Sequence, residues 1–328
     1  MTPKSPLNLV LGAANVGDTT IDKIARFNTP DEVNSFLNTW YDRGYRDIDT
    51  ARNYSPHARG SSEPRLGAVE AGKRFTIDTK VKSGQAGDHS KENIEKEIDV
   101  SLAALKVKKL DILYLHMPDR ATAFEETVEA MDKGYREGKF KRFGLSNFTA
   151  AEVEQIVEIS ESKGFVKPSV YQGQFNPIVR GGEKELFPIL RKHGIAFYAW
   201  SPAAAGFFNG NYKNIQPGGR FDQSHRLGGL YSSFYLKPGI EAATDQALST
   251  ASKYGINGHA AALRWTVYHS ILSAEFGDSV IIGASSAAQL TSNIDYIEQG
   301  PLPEDVVTAL EGLYKGIVAD GEEIGYHF

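Results

Sequence analysis

The chain has 328 residues, of which 41% are hydrophobic and 23% charged, and its 36 Lys and Arg against 41 Asp and Glu give a formal net charge of −5 at pH 7. This composition excludes a disordered, collagen-like or coiled-coil chain, and the charge balance gives no basic footprint for nucleic acid or a membrane surface. The absence of cysteine excludes disulfides, iron–sulfur clusters, thiolate zinc sites and cysteine nucleophiles. We expect a cytoplasmic protein, because the sequence shows no signal-peptide pattern and no run of about 20 apolar residues.

Eight short apolar runs rich in β-formers mark the candidate strands. They begin near Leu7, Asp47, Phe75, Lys109, Arg142, Ser169, Ala196 and Ser279. Stretches with helical spacing lie between most of them, such as Ile94, Ile98, Leu102 and Leu105, and Phe124, Val128, Met131 and Tyr135. A strand with its crossover helix needs about 30 residues, so this spacing predicts a βα array with one large insertion before the last strand.

Several of the predicted strands, such as LDILYLH and IAFYAW, are almost continuously apolar, which is typical of parallel strands covered on both faces. Eight βα units fit a closed (β/α)8 TIM barrel. A doubly wound sheet normally carries a glycine-rich phosphate turn after its first strand, and LGAANVGD matches neither the G-x-G-x-x-G nor the Walker pattern. We therefore predict an α/β fold, a TIM barrel that forms a single domain over residues 1–328.

Two further segments extend the predicted barrel. The stretch from about Ala203 to Pro238 follows strand seven, so we expect a long loop at the catalytic rim that acts as a lid. After Pro301, helical spacing continues through Val306, Leu310, Leu313 and Ile317, and the chain ends in GYHF. This pattern predicts a C-terminal helical extension that packs over the barrel or the pocket.

Four polar residues stand out at the ends of predicted strands two, three and four: Asp49, Tyr54, Lys80 and His116. Each has an ordinary alternative role, as a helix cap, a packing residue or a solvated side chain. Adjacent parallel strands bring their carboxyl ends together, however, and this end of a TIM barrel carries the active site. We therefore predict that the four residues form one catalytic cluster.

Seven motifs in chain order resemble those of the aldo-keto reductases, nicotinamide-dependent carbonyl reductases built on the (β/α)8 barrel. They read DIDTARNY, TK, LYLH, FGLSNF, YQGQFNP, YAWSP and IIGASSAAQLTSN. The YQGQFNP element, the GGRF turn, the ALRW helix and the GASS-x-x-QL-x-x-N ending are most similar to the aflatoxin-aldehyde and succinic-semialdehyde reductase branch. The resemblance implies reduction of an aldehyde or ketone to an alcohol.

The resemblance also assigns roles to the four strand-end residues. Carbonyl reduction by hydride places negative charge on oxygen, so a proton donor is needed, and Tyr54 is the candidate. Lys80 is expected to lower the pKa of Tyr54 and Asp49 to hold Lys80 in place. His116 is expected near its own titration range, where it donates to the substrate oxygen or relays a proton.

The same family positions imply that the cofactor is NADP(H). The expected cofactor contacts are Ser146, Asn147 and Gln172 at the carboxamide, Trp200 at the nicotinamide ring, Ser201 next to it in the sequence, Ser285, Gln289 and Asn293 at the adenosine, and Arg220 of GGRF at the 2′-phosphate. Ordinary alternatives remain for three of these positions. The S-x-x-Q spacing of Ser286 and Gln289 is typical of a helix capping box, a Trp such as Trp200 is also common in a core, and a loop arginine such as Arg220 is often solvated.

Other functions remain open at this point. A metal-dependent hydrolase could use Asp47, Asp49 and His116, but no His-x-His pair is present and Lys80 would repel a cation. A nonenzymatic, cofactor-binding regulatory subunit of the same superfamily is the main alternative, and a sugar-binding barrel is another. A homodimer is the assembly we consider.

The substrate class rests on the insertion. Tyr231 and Ser232 stand where relatives that prefer carboxylated aldehydes would have a Tyr-Arg pair, and Arg226 is displaced from that position. Aromatic residues are frequent in this segment, including Phe207, Phe208, Phe221 and Tyr235. An aromatic or bulky apolar carbonyl is therefore at least as plausible a substrate as an acidic one.

Overall fold

The computed structural model describes residues 5–327, and in it eight parallel strands form a closed barrel in chain order. The strands are β1 (Asn8–Gly12), β2 (Asp47–Asp49), β3 (Thr76–Val81), β4 (Leu110–Leu115), β5 (Phe140–Ser146), β6 (Pro168–Gln174), β7 (Ala196–Trp200) and β8 (Ser279–Ile282). Pairing of β8 with β1, which places Val10 opposite Ile281, closes the barrel. Each strand begins within two residues of its predicted start, so the TIM barrel is confirmed.

Helices surround the barrel. They are α1 (Pro30–Asp42), α2 (Ser62–Ala68), α3 (Lys91–Leu105), α4 (Phe124–Arg136), α5 (Ala150–Lys163), α6 (Gly182–Lys192), α7 (Arg226–Tyr235), α8 (Pro238–Ser252), α9 (Gly258–Tyr268), α10 (Ala287–Glu298) and α11 (Glu304–Ala319). Helices α3 and α4 bury most of the apolar stripe that their spacing predicts, whereas Leu102 and Phe124 are half-buried and Tyr135 is 42% exposed. None of the helices in the described region is long and apolar enough to cross a membrane.

Apolar side chains occupy two regions. The larger core lies between the strands and the outer helices. A separate cluster of Val10, Ile112, Tyr114, Val170, Ala196, Tyr198 and Ile281 comes from alternate strand positions and fills the barrel interior. This packed interior supports the polar side chains that follow it at the carboxyl ends of the strands.

The insertion after β7 is more ordered than a loop. It contains a 3-10 turn at Ala204–Asn209 and α7, and the interval before β8 continues through α8 and α9. The four aromatic residues expected at the substrate rim, Phe207, Phe208, Phe221 and Tyr235, are buried and pack on one another. That prediction is wrong, because these rings form the core that holds the insertion against the barrel.

The C-terminal extension is confirmed. All four predicted apolar residues of α11 are buried, and α11 packs on α8. The tail then crosses the ends of α5 and α6, where the Tyr326 hydroxyl accepts a hydrogen bond of 3.1 Å from the Ala150 backbone N–H. It therefore packs over the outer helices rather than over the large cavity of the barrel.

Candidate active site

The Lys80 side chain is the centre of the cluster at the ends of β2, β3 and β4. Its Nζ lies 2.7 Å from both Asp49 carboxylate oxygens, 2.9 Å from the Thr50 carbonyl oxygen and 3.0 Å from the Tyr54 hydroxyl. Lys80 is 0% exposed and Asp49 1%. Such a buried ammonium requires its counter-ion, so the predicted pairing of these two residues is present in the structure.

Tyr54 donates its hydroxyl proton to Asp49 Oδ2 over 2.9 Å. Burial, followed by the charge and hydrogen bond of Asp49, raises the pKa of Tyr54 well above its ordinary value. The sequence prediction of a lowered pKa considered Lys80 alone, and the structure shows the opposite direction because Asp49 and burial outweigh it. The phenol therefore carries its proton at neutral pH.

His116 lies beside Tyr54, with the two ring centroids 5.9 Å apart and the planes nearly perpendicular. Burial, and then the positive charge of Lys80, lower the pKa of His116 well below its ordinary value. The imidazole is thus neutral at pH 7 rather than near its titration midpoint. Its Nδ1 is buried without a hydrogen-bond partner among the described residues.

Gln172 on β6 reaches the same cluster from across the barrel. Its Nε2 donates to Asp49 Oδ1 over 2.8 Å, so the Asp49 carboxylate accepts hydrogen bonds from Gln172, Tyr54 and Lys80 together. The sequence placed Gln172 at the carboxamide of the cofactor. In this structure it also fixes the orientation of Asp49.

One cavity of about 560 Å³ opens at the carboxyl ends of the strands and contains Tyr54 and His116 in its wall. All nine residues predicted to contact the cofactor line this cavity: Ser146, Asn147, Gln172, Trp200, Ser201, Arg220, Ser285, Gln289 and Asn293. The structure therefore brings together side chains from four βα units, those of β5, β6, β7 and β8, that are far apart in the sequence. A cavity of this size holds an extended ligand.

The backbone is strained at Asn147 and Ser201, which follow the ends of β5 and β7. Both have left-handed backbone angles, φ 66° and 58°, a conformation that costs free energy and occurs often at functional sites. Asn147 Nδ2 donates to the His116 carbonyl oxygen, whereas its Oδ1 is buried without a partner in the described chain. Asn147 therefore lines the cavity with one amide oxygen that has no protein partner, a group of the kind that a bound ligand can satisfy.

The loop after β8 organises the opposite end of the cavity. Ser286 caps α10 by accepting a hydrogen bond from the Gln289 backbone N–H. The Gln289 side chain does not complete the predicted capping box, because its Oε1 accepts instead from the backbone N–H and hydroxyl of Ser285. Asn293, 2% exposed, donates to the Gly283 carbonyl oxygen and pairs with His259, so it holds this loop in place.

Sequence reasoning missed several residues of the cavity wall. Asn15 and Arg26 come from the loop after β1, and Leu227, Leu230 and Phe234 come from α7, which also carries the Tyr231 that the sequence placed at the substrate. The β1 loop carries no recognisable phosphate motif, so the one available signal was its position at the carboxyl end of a barrel strand. Two adjacent glycines, Gly228 and Gly229, hide the helical pattern of α7 in the sequence.

The start of α7 explains why Gly228 is there. The His225 side chain caps the helix, because its Nδ1 accepts from the Gly228 N–H and its Nε2 donates to the Gly219 carbonyl oxygen. A Cβ at position 228 would overlap the Asp222 carbonyl. The cap joins α7 to the GGRF turn and so aligns Tyr231 with the cavity.

The alternative metal site is not assembled. Asp47 lies at the start of β2, where it accepts a hydrogen bond from Asn8, and His116 follows the end of β4. Among residues 5–327 no group of three His, Cys, Asp or Glu side chains is arranged to hold a metal ion.

Comparison with known proteins places this geometry in a family. A family model described as the Aldo/keto reductase family matches residues 8–315. Oxidoreductase sirO of Leptosphaeria maculans is 37% identical over 321 residues, which cover 97% of this chain and 96% of that protein. Aldo-keto reductase family 7 member A3 of Homo sapiens is 38% identical over 317 residues, covering 92% and 91% of the two chains. Aflatoxin B1 aldehyde reductase member 2 of Homo sapiens is 37% identical over 290 residues, covering 84% and 79%. The chain therefore belongs to the aldo/keto reductase family, and its similarity to an aflatoxin B1 aldehyde reductase agrees with the branch that its motifs indicate.

Proposed function

We propose that the protein reduces an aldehyde or ketone to an alcohol with NADPH. The observation that carries this proposal is the contact of Lys80 Nζ with both Asp49 and the Tyr54 hydroxyl, beside a cavity that the predicted cofactor residues line. This arrangement supplies a protonated acid and a fixed cation at one point. Family membership supports carbonyl reduction as the reaction class.

A dihydronicotinamide in the cavity would supply the hydride. Addition of that hydride to the carbonyl carbon would place negative charge on the carbonyl oxygen. The Tyr54 hydroxyl donates its proton to that oxygen. The Lys80 ammonium, 3.0 Å from the Tyr54 oxygen, then stabilises the phenolate that remains. His116, being neutral, carries one ring N–H that orients the carbonyl by a hydrogen bond.

For the cofactor, we propose that Arg220 binds the 2′-phosphate that distinguishes NADPH from NADH. Arg220 Nη2 donates to Asn15 Oδ1 over 2.7 Å, and Asn15 Nδ2 donates to the Ala284 carbonyl oxygen over 2.8 Å. Arg220 is therefore linked through one side chain to the loop that contains Ser285. The β8 loop itself offers Gly283 and Gln289 and no cation at these positions.

For the substrate, we propose an uncharged aromatic or bulky apolar carbonyl compound. Besides Trp200 and Met117, α7 presents Leu227, Leu230, Tyr231 and Phe234 to the cavity. These side chains replace the rim aromatics that the sequence suggested, and they supply an apolar wall of the kind that binds rings. The name of one human relative specifies an aldehyde of aflatoxin B1, a bulky compound.

The experiment is oxidation of NADPH, followed by absorbance, with a panel of aldehydes and ketones. We expect turnover of aromatic aldehydes by the wild type and a large loss in Tyr54→Phe. Binding of NADPH without turnover of any panel member would contradict the proposal and favour a nonenzymatic regulatory subunit. Failure to bind NADPH, judged by quenching of tryptophan fluorescence, would favour a barrel without redox chemistry.

A further inference from the structure

Two arginines in the wall of the large cavity have no carboxylate partner. Arg26 belongs to the loop between β1 and α1, and Arg220 belongs to the insertion after β7. Across residues 5–327, neither guanidinium lies within ion-pair distance of an Asp or Glu side chain, although most other arginines of the chain do. An unpaired cation inside a cavity is costly, and two in one cavity indicate a site for an anion.

The contacts of Arg26 orient its guanidinium without neutralising it. Its Nη1 donates to the carbonyl oxygens of Lys23 and Ala25 over 2.5 and 2.9 Å, and its Nη2 donates to the Gly218 carbonyl oxygen over 2.8 Å. Carbonyl oxygens carry only partial charge, so the full positive charge of Arg26 remains available. Its remaining donors, including Nε, make no hydrogen bond within the described chain and are free to bind a ligand.

The two arginines are also close enough to repel each other. Burial, and then the charge of Arg220, lower the pKa of Arg26. The charge of Asp22 raises the pKa of Arg26, a smaller effect than those of burial and Arg220, and the two Asp22 oxygens already bond Ser55 and His57. The protein therefore offsets the repulsion between the arginines only in part, and a bound anion would relieve it further.

Asn15 fixes both arginines relative to the adenosine end of the cavity. Its backbone carbonyl accepts from the Arg26 backbone N–H over 2.7 Å, and its side chain joins Arg220 to the Ala284 carbonyl. One residue thus connects the β1 loop, the GGRF turn and the β8 loop. An anion that contacts Arg220 therefore lies beside the β8 loop, which contains Ser285.

We infer that Arg26 and Arg220 together bind a phosphate group of the dinucleotide cofactor, with Arg26 as the second cation of the site. The inference rests on the proposed function, because it assumes that a nicotinamide dinucleotide occupies this cavity. A dinucleotide offers two such phosphates, the 2′-phosphate of NADPH and the diphosphate bridge shared with NADH. Two planar guanidinium forks suit either phosphate, because each presents paired N–H donors to phosphate oxygens.

The test is fluorescence titration of NADPH and NADH against the wild type, Arg26→Gln, Arg26→Lys and Lys23→Gln at fixed ionic strength. Lys23→Gln is the matched control, because the Lys23 side chain is exposed on the same loop and lies outside the cavity wall. We expect Arg26→Gln to weaken binding about ten-fold or more, as for a lost charge-assisted hydrogen bond, and Lys23→Gln to change it less than two-fold, as for a solvated charge. Arg26→Lys keeps the charge and should retain part of the affinity.

The pattern across the two cofactors identifies the phosphate. A loss confined to NADPH supports a contact with the 2′-phosphate. A similar loss for NADPH and NADH that Arg26→Lys restores supports a contact with the diphosphate, and it would move Arg220 from the 2′-phosphate to the diphosphate as well. The inference is overturned by no loss in Arg26→Gln, or by an equal loss for both cofactors that Arg26→Lys does not restore, since Arg26 would then only support the Gly218 turn. Failure of the proposed function would appear separately, as absence of turnover by the wild type.

Discussion

The Tyr54 hydroxyl donates its proton to Asp49 over 2.9 Å while the Lys80 ammonium lies 3.0 Å from the same hydroxyl oxygen. These two neighbours have opposite effects on the proton: Asp49 retains it, and Lys80 favours its departure. Asp49 and burial dominate before reaction, because they raise the pKa of Tyr54. Negative charge on a substrate oxygen would reverse this balance, so the site holds an acid that reacts only when the carbonyl is being reduced.

Tyr54→Phe should remove most reductase activity while the affinity for NADPH stays within a few fold. The hydroxyl serves the transition state rather than cofactor binding, and a positioned proton donor is worth roughly 10² to 10⁴ in rate. The measurement is kcat with an aromatic aldehyde, together with the isotope effect of deuterated NADPH, which shows whether chemistry limits the rate. A chemistry-limited variant that keeps more than half of the wild-type kcat would contradict the assignment.

Asp49→Asn should move the alkaline limb of the reduction pH profile to lower pH. Reduction needs a protonated Tyr54, and its pKa is raised by burial and by the Asp49 charge; removing that charge lowers the pKa, by roughly one to three units for a close neighbour. Lys80→Met is the opposite control, because loss of the ammonium raises the same pKa and moves the limb to higher pH. Shifts of both variants in one direction would disprove the opposed roles of Asp49 and Lys80.

The buried His89 should make the fold less stable in mild acid. Burial lowers the pKa of His89 to about 4, against about 6.5 in an unfolded chain. Between these pH values the His89 side chain binds a proton in the unfolded chain and not in the folded protein. The free energy of unfolding is therefore highest above about pH 6.5 and decreases as the pH falls toward 4. Each unit below 6.5 costs about 1.4 kcal/mol, or about 2 kcal/mol at pH 5.

Urea unfolding of the wild type and His89→Gln, at about pH 7.5 and about pH 5, measures this contribution. Glutamine can keep the hydrogen bond that Ser83 shares with His89 Nε2 over 2.7 Å, but it does not titrate. The free energy of unfolding of the variant should therefore fall by about 2 kcal/mol less than that of the wild type. Identical acid losses in the two proteins would show that His89 is not the titrating group.

The sequence predicted the parts of the molecule that local patterns determine. Strand starts follow from short apolar runs, and the positions of Asp49, Tyr54, Lys80 and His116 follow from the adjacency of parallel strand ends. The direction of the Tyr54 pKa shift could not be predicted, because it depends on the hydrogen bond from Tyr54 to Asp49 and on how completely the phenol is buried. The position of Arg26 in the cavity wall could not be predicted either, since its guanidinium is held there by the carbonyl oxygen of Gly218, 192 residues away.

The position of Tyr231 on α7 gives a test of substrate charge. Wild-type protein should prefer benzaldehyde to its 4-carboxy derivative, because the α7 wall offers apolar and phenolic groups to the substrate. Tyr231 lines the same cavity as Tyr54, and after burial and Asp49 it also raises the pKa of Tyr54. Tyr231→Arg should therefore increase the ratio of kcat/KM for the carboxylated over the uncharged aldehyde by about ten-fold, the size of one charge-assisted hydrogen bond.

Ser233→Arg is the matched control, because it adds the same charge to the exposed side of α7 and should leave the ratio within two-fold, as for a solvated charge. Equal changes in both variants would mean that general attraction of anions, rather than a contact at position 231, sets the ratio. A wild type that prefers the carboxylated aldehyde would sink the uncharged-substrate proposal and direct attention to Arg220 as a substrate contact.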